Sequence, residues 1–384
     1  MKIIMDFRKY DGFIGGVEQG IIQITKRATA KDHYIIMLCK KRSLQKTKEL
    51  FNGVANLKII PLDVENHSIS DKNALLDSTV IPDIAKEEGA GVIHFPYNIS
   101  FPSRKKVPTI LTVHDVIPFT FREAMDIHTH KYLYKSGIKK ACMLNDVIVT
   151  VSNFSKRDIS EKAGVPIDKI RVIPNGLRKP SELNKTLEAT LIKKFRLSQG
   201  CVLNVGGIHE RKNIVRLIHA FRKFIEKSGF KGKLLITGSV SGAPYQDKMK
   251  KMCDKTISET GMKERIVFTG FVSDDELDTL FKITEFLIYP SLYEGFGIPI
   301  LEAMQAGAPV ITSNVTAMPE IANDAAILID PESVEDMASA MIRLLKDSSL
   351  RKKLIEKGKK RAVAYSWERT VNEYLAIYKE VYRE

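Results

Sequence analysis

Two glutamates, Glu294 and Glu302, lie eight residues apart in a segment whose residue types suit ligand binding. Gly295 and Gly297 permit a tight loop whose backbone amides can face an anion, and Pro299 suits the first turn of a helix. The pattern predicts that Glu294 lies in the loop and that Glu302 lies one turn inside the helix. The two carboxylates can therefore bind different parts of one ligand, and neither is expected in a hydrophobic core.

Two adjacent cations follow an apolar run in the second half of the chain. The run Cys201–Val205 leads into Gly206 and Gly207, and Arg211 and Lys212 then precede a helical pattern. Cations at the start of a helix that follows a strand are well placed to bind a diphosphate. Two adjacent cations near a helix are usually just exposed surface residues. The position of this pair after a strand end favours a role in ligand binding.

Further candidates follow strands in the first half of the chain. Gly15 and Gly16 come between an apolar run and a helical pattern, where their amides can approach a phosphate, although a simple turn is the alternative. His114 ends an apolar strand, at the sheet edge where ligands bind in α/β folds, and can contact substrate hydroxyls or donate to a phosphate. Ser152 also follows a strand, and capping a helix and touching a ligand are equally open interpretations there.

Short apolar, β-branched runs alternate with amphipathic helical patterns along the chain, which indicates parallel sheets covered on both faces. The thirteen runs are Met1–Met5, Tyr34–Leu38, Leu57–Pro61, Val92–Phe95, Thr109–Val113, Val147–Val151, Ile170–Ile173, Cys201–Val205, Lys233–Thr237, Ile266–Thr269, Phe286–Tyr289, Val310–Thr312 and Ala326–Ile329. This number exceeds one ordinary Rossmann sheet and fits two sheets of six or seven strands. The sequence therefore predicts two α/β domains.

The domain boundary is predicted just after Asn175 and Gly176. The stretch 178–190 is polar and contains a proline, which is typical of a linker. The resulting prediction is an N-terminal domain at residues 1–177, a C-terminal domain at 178–365, and a closing helix at 366–384 that Trp367 opens.

Charge and cysteine usage narrow the possible partners. The net charge is +14, and basic residues exceed acidic ones by 10 in residues 1–180 and by 4 in the rest. This bias favours an anionic partner such as nucleic acid, anionic lipid or a phosphorylated substrate, although a solvated lysine-rich surface fits it as well. The four cysteines are far apart, which argues against a disulfide framework or a zinc site and for a reducing cytoplasm. No secretory signal and no apolar run of ~18 residues, the length of a membrane span, is visible.

The run from Glu294 to Glu302 resembles the E-x7-E motif of family-4 retaining glycosyltransferases, which have the GT-B fold. The resemblance covers nearly the whole chain. It includes the early Gly-Gly-Val-Glu loop, His114-Asp115, Ser152 to Ser155, Asn175-Gly176, Arg211-Lys212-Asn213, Gly238, Phe268-Thr269-Gly270 and the tail from Tyr365. It implies two Rossmann-like domains that face each other across a cleft, and transfer of a sugar from a nucleotide-sugar donor with retention of the anomeric configuration.

The resemblance also implies a role for each candidate residue, because the second domain of this family binds the nucleotide. Arg211 and Lys212 would hold the diphosphate, Glu294 would contact donor-sugar hydroxyls, and Glu302 would contact the ribose. The other binding positions would be Gly295, Phe296, the amides of Gly297 and Ile298, Gly207, the segment ending at Phe271 for the base, Gly15 and Gly16 for the phosphates, and His114 for the sugar. Some members carry an arginine where this chain has Gly207, so Arg211 must supply that charge.

The implied mechanism is front-face displacement, in which the leaving diphosphate assists deprotonation of the acceptor hydroxyl and cations stabilise its growing charge. No metal is expected, because the cations already stabilise the leaving group, and no cofactor is expected, because the nucleotide sugar is the donor substrate. The acidic run 274–276 after Ser273 is interpreted as a capped helix start and not as a metal motif. Two other functions remain as alternatives. One is a sugar-nucleotide epimerase or a phosphorolytic enzyme on the same fold, and the more distant one is a basic nucleic-acid-binding protein.

The segment Leu111–Pro118 is similar to polysaccharide mannosyl- and rhamnosyltransferases of bacteria and archaea. GDP-mannose is therefore the first donor to expect, ahead of UDP-glucose or UDP-N-acetylhexosamine. The first domain binds the acceptor in this family, and basic clusters at 40–42, 104–106 and 139–140 suggest docking near anionic lipid. We expect a hexose to be transferred to a glycan or lipid-linked acceptor by a cytoplasmic protein, peripheral at the inner membrane face, with no nucleic acid as partner.

Overall fold

The structure, a computed structural model, describes residues 1–64, 71–121, 127–240 and 244–382. The chain divides into two units. Unit 1 consists of Met1–Thr120, Met125–Gly176 and Tyr365–Glu384, and unit 2 consists of Leu177–Ala364 with a short segment that begins at Phe121. Each unit is a Rossmann-like α/β domain built on one parallel sheet, as the alternation of apolar runs and helical patterns predicts.

Unit 1 contains a seven-stranded parallel sheet in the order β3-β2-β1-β4-β5-β6-β7. The strands are β1 Lys2–Asp6, β2 Tyr34–Lys40, β3 Leu57–Leu62, β4 Val92–Phe95, β5 Thr109–Thr112, β6 Val147–Thr150 and β7 Ile170–Val172. The helices between them are α1 Gly16–Thr29, α2 Leu44–Leu50, α3 Asp71–Leu75, α4 Ile81–Glu88, α5 Ile127–Leu144 and α6 Asn153–Ala163. Two hydrophobic clusters bury the faces of the sheet, which explains why its central strands are mostly apolar.

Unit 2 contains a six-stranded parallel sheet in the order β10-β9-β8-β11-β12-β13. The strands are β8 Cys201–Val205, β9 Lys233–Thr237, β10 Ile266–Gly270, β11 Leu287–Tyr289, β12 Val310–Ser313 and β13 Ala326–Ile329. The helices are α7 Lys185–Phe195, α8 Ile214–Ser228, α9 Pro244–Thr260, α10 Asp274–Ile283, α11 Ile298–Ala306, α12 Met318–Ala322, α13 Val334–Lys346 and α14 Ser348–Val363. All the predicted strands are present, and their ends differ from the prediction by no more than two residues.

The chain ends in α15 (Trp367–Val381), which belongs to unit 1. Gly176 permits its close approach, because a Cβ at that position would lie only 2.4 Å from the backbone nitrogen of Trp367. A buried polar contact also fixes the helix, since His94 Nδ1 lies 2.6 Å from Tyr378 Oη. The closing helix is thus part of the hydrophobic and polar interior of unit 1.

The polar stretch 178–190, predicted as a linker, is irregular only over its first part. Helix α7 begins at Lys185 because the Asn184 side chain caps it, with Oδ1 accepting from the amides of Thr186 and Leu187 at 3.0 and 3.1 Å. Leu191 is fully buried on the inner side of this helix. The capping and the apolar spacing outweigh the polar composition that suggested a linker.

The strand order of each sheet reverses at one place, between β1 and β4 in unit 1 and between β8 and β11 in unit 2. In open α/β sheets, ligands bind outside the carboxyl ends of the strands beside such a reversal. The loops after β8 and β11 carry Arg211, Lys212 and Glu294, and the loop after β1 carries Gly15 and Gly16. The topology therefore places the strongest sequence candidates where each unit is built to bind a ligand.

Candidate functional site

Arg211, Lys212 and Glu294 come together at the strand reversal of unit 2. Arg211 Nη1 and Lys212 Nζ each lie 2.7 Å from Glu294 Oε1. The two cations stand in a short 3₁₀ turn, Glu210–Lys212, between β8 and α8, and Glu294 stands in the loop between β11 and α11. Two strand-end loops therefore supply one compact cluster with two positive charges and one negative charge.

Glu294 is buried, with 8% of its surface exposed, so the expectation that it lies outside a core is wrong. Burial acts to raise its pKa, but the attraction of Lys212 and Arg211 outweighs burial and holds the pKa of Glu294 below its usual value. The carboxylate is therefore ionised at neutral pH and the cluster keeps a net charge of +1. A buried cluster with this charge favours the binding of an anion.

Tyr289, the last residue of β11, helps to place Lys212. Lys212 Nζ donates to Tyr289 Oη at 2.5 Å and lies 4.5 Å from the centre of the ring. The backbones of the two loops are joined as well, because the amide of Leu292 donates to the carbonyl of Arg211 at 2.7 Å. These contacts fix the positions of both cations before any ligand arrives.

Gly207 follows β8 in unit 2, but its amide is already engaged. It donates to the carbonyl of Thr237 at 2.7 Å. A Cβ at Gly207 would lie 2.4 Å from the carbonyl oxygen of Ser239, and its φ of +71° also favours glycine. Gly207 therefore lets the loops after β8 and β9 pack against each other, and its contact with a ligand stays a prediction.

The loop after Glu294 is anchored inside unit 2. Gly295 is buried and Phe296 is 5% exposed, so the Phe296 ring packs in the interior and offers little surface for stacking on a ligand. Gly297 has a φ of +102° and immediately precedes α11, which begins at Ile298. Helix α11 therefore presents its amino end, with its partial positive charge, at the same sheet edge as the cation cluster.

Glu302, inside α11, has a different set of neighbours. Its Oε1 lies 3.6 Å from Arg178 Nε. Arg178 also forms a bidentate pair with Asp278, with both N–O distances 2.6 Å, and lies 3.7 Å from Asp274. Burial raises the pKa of Glu302 to about 7, with Arg178 opposing the shift and the two aspartates adding to it. Glu302 therefore changes charge near neutral pH, whereas Glu294 does not.

Phe271 was predicted to frame a nucleotide base. It directly follows β10, and 77% of its surface is exposed. An exposed aromatic ring at the carboxyl end of a strand can stack on a base, so this role stays a prediction.

In unit 1, Gly15 and Gly16 lie at the amino end of α1, as predicted. The amide of Gly15 donates to Glu18 Oε2 at 3.1 Å. A Cβ added at Gly16 would meet no heavy atom within 4 Å, so packing inside unit 1 does not require glycine there. Close approach of a ligand to the backbone remains the predicted reason for this glycine.

His114, which follows β5, is a neutral hydrogen-bond acceptor. Its Nε2 lies 3.0 Å from the carbonyl oxygen of Pro96, and a carbonyl only accepts, so Nε2 carries the proton. Burial lowers the pKa of His114 to about 4, with the Pro96 hydrogen bond opposing the shift and Lys9 adding to it. The lone pair on Nδ1 can accept from a sugar hydroxyl. The expected donation to a phosphate does not fit, because the N–H is bound to Pro96.

Two serines cap helices. Ser152 Oγ accepts from the amide of Ser155 at 3.0 Å, which confirms the capping interpretation and leaves the ligand contact as a prediction. Ser273 and Glu276 form the capping box of α10, with distances of 3.2 and 2.9 Å. The acidic run 274–276 is therefore a helix start, as predicted.

The basic clusters of unit 1 are partly neutralised. Lys40 is 2% exposed, and its Nζ lies 2.6 Å from the carboxylate of Asp11, which also accepts from Arg42 at 2.9 Å. Lys105 pairs with Asp146 at 2.6 Å. Buried Lys40 cannot touch a membrane, so the cluster 40–42 contributes less to a basic surface than its sequence suggests.

Three general expectations can be compared with the structure. All four cysteines are buried and free, as small core residues are expected to be. In the ranges that the structure describes, no group of three or more His, Cys, Asp or Glu side chains could hold a metal ion. Within the same ranges, no helix is long and apolar enough to cross a membrane.

Sequence reasoning missed three residues of this region. Arg178 lies in the predicted linker and Asp278 in an amphipathic helix, and their sequence separation is 100 residues. Thr316 lies in a loop and bonds to Glu294 across 22 residues. No local sequence pattern signals these contacts, because each partner comes from a different strand-end loop or helix.

The comparisons with known proteins agree with this geometry. Residues 191–361 match the family model "Glycosyl transferases group 1", and residues 14–178 match "Glycosyltransferase Family 4". The chain is 31% identical over 293 residues to the O-antigen chain mannosyltransferase B of Escherichia coli, over 75% of this chain and 74% of that protein. The chain belongs to the family-4 glycosyltransferases.

Solved structures share the fold of this family-4 glycosyltransferase. A glycosyltransferase from Rickettsia africae ESF-5 matches 99% of this chain and 98% of its own, with a TM-score of 0.77 and 21% identity. Anabaena HepE in complex with UDP and glucose matches 99% of both chains, with a TM-score of 0.75 and 17% identity. The two Rossmann-like units are therefore those of a GT-B glycosyltransferase.

Proposed function

We propose that this glycosyltransferase transfers a mannosyl residue from a nucleotide-diphosphate sugar to a glycan hydroxyl, with retention of the anomeric configuration. The cluster of Arg211, Lys212 and Glu294 carries the proposal, because two cations, half-buried Arg211 and buried Lys212, share one buried carboxylate. We expect a diphosphate to bind beside these cations, which stabilise its growing negative charge as it leaves. The relative named as an O-antigen chain mannosyltransferase supports mannose, with GDP-mannose as the first donor to test.

The proposed roles are those that the resemblance to the family implies. Glu294 and the Nδ1 lone pair of His114 accept hydroxyls of the transferred sugar, and Glu302 accepts hydroxyls of the ribose. The acceptor oxygen attacks the anomeric carbon on the face from which the diphosphate leaves. The bond from that carbon to the phosphate oxygen breaks, and the acceptor proton passes to the departing phosphate. This route uses no metal and no carboxylate nucleophile.

The proposed acceptor is a growing polysaccharide or a lipid-linked glycan. The O-antigen relative supports it, and the basic excess of residues 1–180 is compatible with an anionic membrane surface near the acceptor. The protein would then act on the cytoplasmic side of the membrane as a peripheral enzyme.

A donor screen tests the proposal. Thermal unfolding is measured with GDP-mannose, UDP-glucose and UDP-N-acetylglucosamine, and the preferred donor is then assayed with glycan acceptors, with and without EDTA. We expect stabilisation by GDP-mannose, an α-linked product from the α-configured donor by NMR, and an unchanged rate in EDTA. A β-linked product contradicts retention, and loss of the rate in EDTA that Mg²⁺ restores contradicts the metal-free route. An epimer formed without acceptor supports the epimerase alternative.

A further inference from the structure

Thr316 has an unusual backbone conformation. It lies in the loop between β12 and α12, and its φ is +59°. The left-handed region is unfavourable for a β-branched residue, because Cβ and its substituents crowd the neighbouring carbonyls. Such a conformation persists only where the surrounding structure holds it, and residues of this kind are concentrated at functional sites.

The contact made by Thr316 leads to Glu294. Thr316 Oγ1 accepts a hydrogen bond from the amide of Glu294 at 3.2 Å. The next residue, Ala317, is fully buried and donates its amide to the carbonyl of Glu294 at 3.4 Å. One short segment therefore holds both polar groups of the Glu294 main chain, while Arg211 and Lys212 hold its carboxylate.

This contact is the last of a series between two neighbouring strand ends. Thr312 Oγ1 donates to the carbonyl of Tyr289 at 3.0 Å, and Ser313 Oγ donates to the carbonyl of Ser291 at 2.7 Å. Hydroxyls at and after the end of β12 thus contact, in the same order, the backbone at and after the end of β11. The first two contacts lie within or beside the strands. The third contact joins Thr316 to the backbone amide of Glu294.

We propose that Thr316 is a positioning residue, which holds the main chain of Glu294 so that its carboxylate stays aligned with Arg211 and Lys212 during sugar transfer. The inference rests on the proposed role of Glu294. A carboxylate must lie within hydrogen-bond reach of the sugar as it reacts, so a small displacement of its main chain lowers the rate. Because Thr316 acts through Glu294, its effect disappears when the carboxylate is removed.

A double-mutant cycle tests the proposal. Thr316→Val keeps the side-chain shape and removes the hydroxyl, and we expect it to lower kcat by about fivefold, the effect of one lost hydrogen bond. Thr316→Ser keeps the hydroxyl and should restore kcat to within about twofold of the original enzyme. In a Glu294→Gln background, Thr316→Val should change kcat no further. Affinity for the nucleoside diphosphate should stay the same in both Thr316 variants.

Two controls separate positioning from general destabilisation. Thr316→Gly relieves the backbone strain, so it should unfold at the same or a higher temperature and still lose kcat. Thr284→Val removes a buried hydroxyl that donates to the carbonyls of Cys201 and Phe286, at the amino ends of β8 and β11, and it should lower stability while kcat is unchanged. An additive effect of Thr316→Val in the Glu294→Gln background, or a normal kcat in Thr316→Val, would overturn the inference. If Glu294→Gln itself kept full activity, the role proposed for Glu294 would fail instead.

Discussion

Arg178 Nε lies 3.6 Å from Glu302 Oε1, although Arg178 lies in the polar segment before α7 and Glu302 lies in the helix that follows β11. The guanidinium is bound more closely to Asp278, at 2.6 Å for both N–O pairs. Arg178 therefore offsets only part of the effect of burial, and the pKa of Glu302 is raised to about 7. The ionisation of one candidate ligand-binding group thus depends on a residue far from it in sequence.

Replacing Arg178 should make nucleotide binding more sensitive to pH. The proposed ribose contact needs ionised Glu302, and loss of the neighbouring cation raises its pKa further above 7. A rise of one pKa unit from about 7 lowers the ionised fraction of Glu302 about fivefold at pH 7, so we expect Arg178→Met to weaken binding of the nucleoside diphosphate by about fivefold at neutral pH and to approach the original affinity at high pH. Calorimetry across neutral and alkaline pH measures this.

Two comparisons make that experiment decisive. Glu302→Gln removes the titrating carboxyl. Any pH dependence of nucleoside diphosphate binding that remains in this variant comes from the phosphates of the ligand. Arg222→Met removes a cation from an exposed pair on α8 and should leave binding unchanged. Parallel pH curves for Arg178→Met and the original protein would show that Arg178 does not control Glu302.

The sequence predicts the strands and the loop positions of the site well, because both depend on local patterns. Glu294 follows a buried run and precedes a glycine loop, so its place at the end of β11 can be read from neighbouring residues. Its burial could not be predicted, because Arg211 and Lys212, which compensate its charge, lie on another loop. Arg178 is the clearest failure: polar composition suggested a linker, and its partner Asp278 is 100 residues away.

His114 should act as a neutral acceptor over the working pH range. Its pKa, lowered to about 4 by burial, means that the ring stays uncharged from weakly acidic pH upward. His114→Phe removes the Nδ1 lone pair, and we expect kcat to fall by roughly tenfold, the cost of one or two hydrogen bonds to the sugar. The ratio of the two rates should be constant from weakly acidic to alkaline pH. A ratio that changes near pH 6.5, the ordinary pKa of histidine, contradicts a neutral ring.

The burial of His94 should make unit 1 sensitive to acid. Burial lowers the pKa of His94 to about 3, whereas its ordinary value is 6.5. A group whose pKa is depressed on folding stabilises the folded state above its ordinary pKa, and this stability is lost as the pH falls. We therefore expect the free energy of unfolding of unit 1 to decrease steadily below pH 6.5.

Two variants distinguish this effect from general acid unfolding. His94→Gln should be less stable at neutral pH but should show a flatter dependence on pH, because the titrating ring is gone. Tyr378→Phe should lower the free energy of unfolding by about 1 kcal/mol at each pH, the contribution of one hydrogen bond. The slope of its stability against pH should stay that of the original protein. Equal slopes in all three proteins would mean that other groups cause the acid sensitivity.

The proposed membrane binding should depend on exposed lysines of unit 1. Lys139 and Lys140 are exposed at the end of α5, whereas Lys40 is buried. We expect flotation with anionic vesicles at low salt, loss of flotation at high salt, and reduced flotation of Lys139→Glu/Lys140→Glu. The same charge change in unit 2, Lys357→Glu/Lys360→Glu, is the control. Failure to float at low salt contradicts the membrane proposal and leaves the donor chemistry untouched.

Replacing Glu294 with Gln should change catalysis and ligand affinity in opposite directions. Arg211 and Lys212 both lie 2.7 Å from Glu294 Oε1, so the variant leaves two cations beside a neutral amide. The unliganded variant should unfold at a lower temperature, because buried Lys212 and half-buried Arg211 lose the carboxylate that pairs with them. Binding of the free nucleoside diphosphate should strengthen, because the ligand meets a site with one more net positive charge.

Turnover of the same variant should fall by about tenfold or more, since a carboxylate that accepts sugar hydroxyls forms charge-assisted hydrogen bonds worth roughly 1.5–3 kcal/mol each. Glu285→Gln is the matched control, because Glu285 also pairs with an arginine, Arg351, at 2.7 Å, but both side chains are more exposed. It should change neither rate nor affinity. Calorimetry with the diphosphate and initial rates with the donor separate the two effects. If Glu294→Gln weakened diphosphate binding as much as it lowered turnover, then Glu294 would serve the nucleotide, and the proposed division between Glu294 for the sugar and Glu302 for the ribose would be wrong.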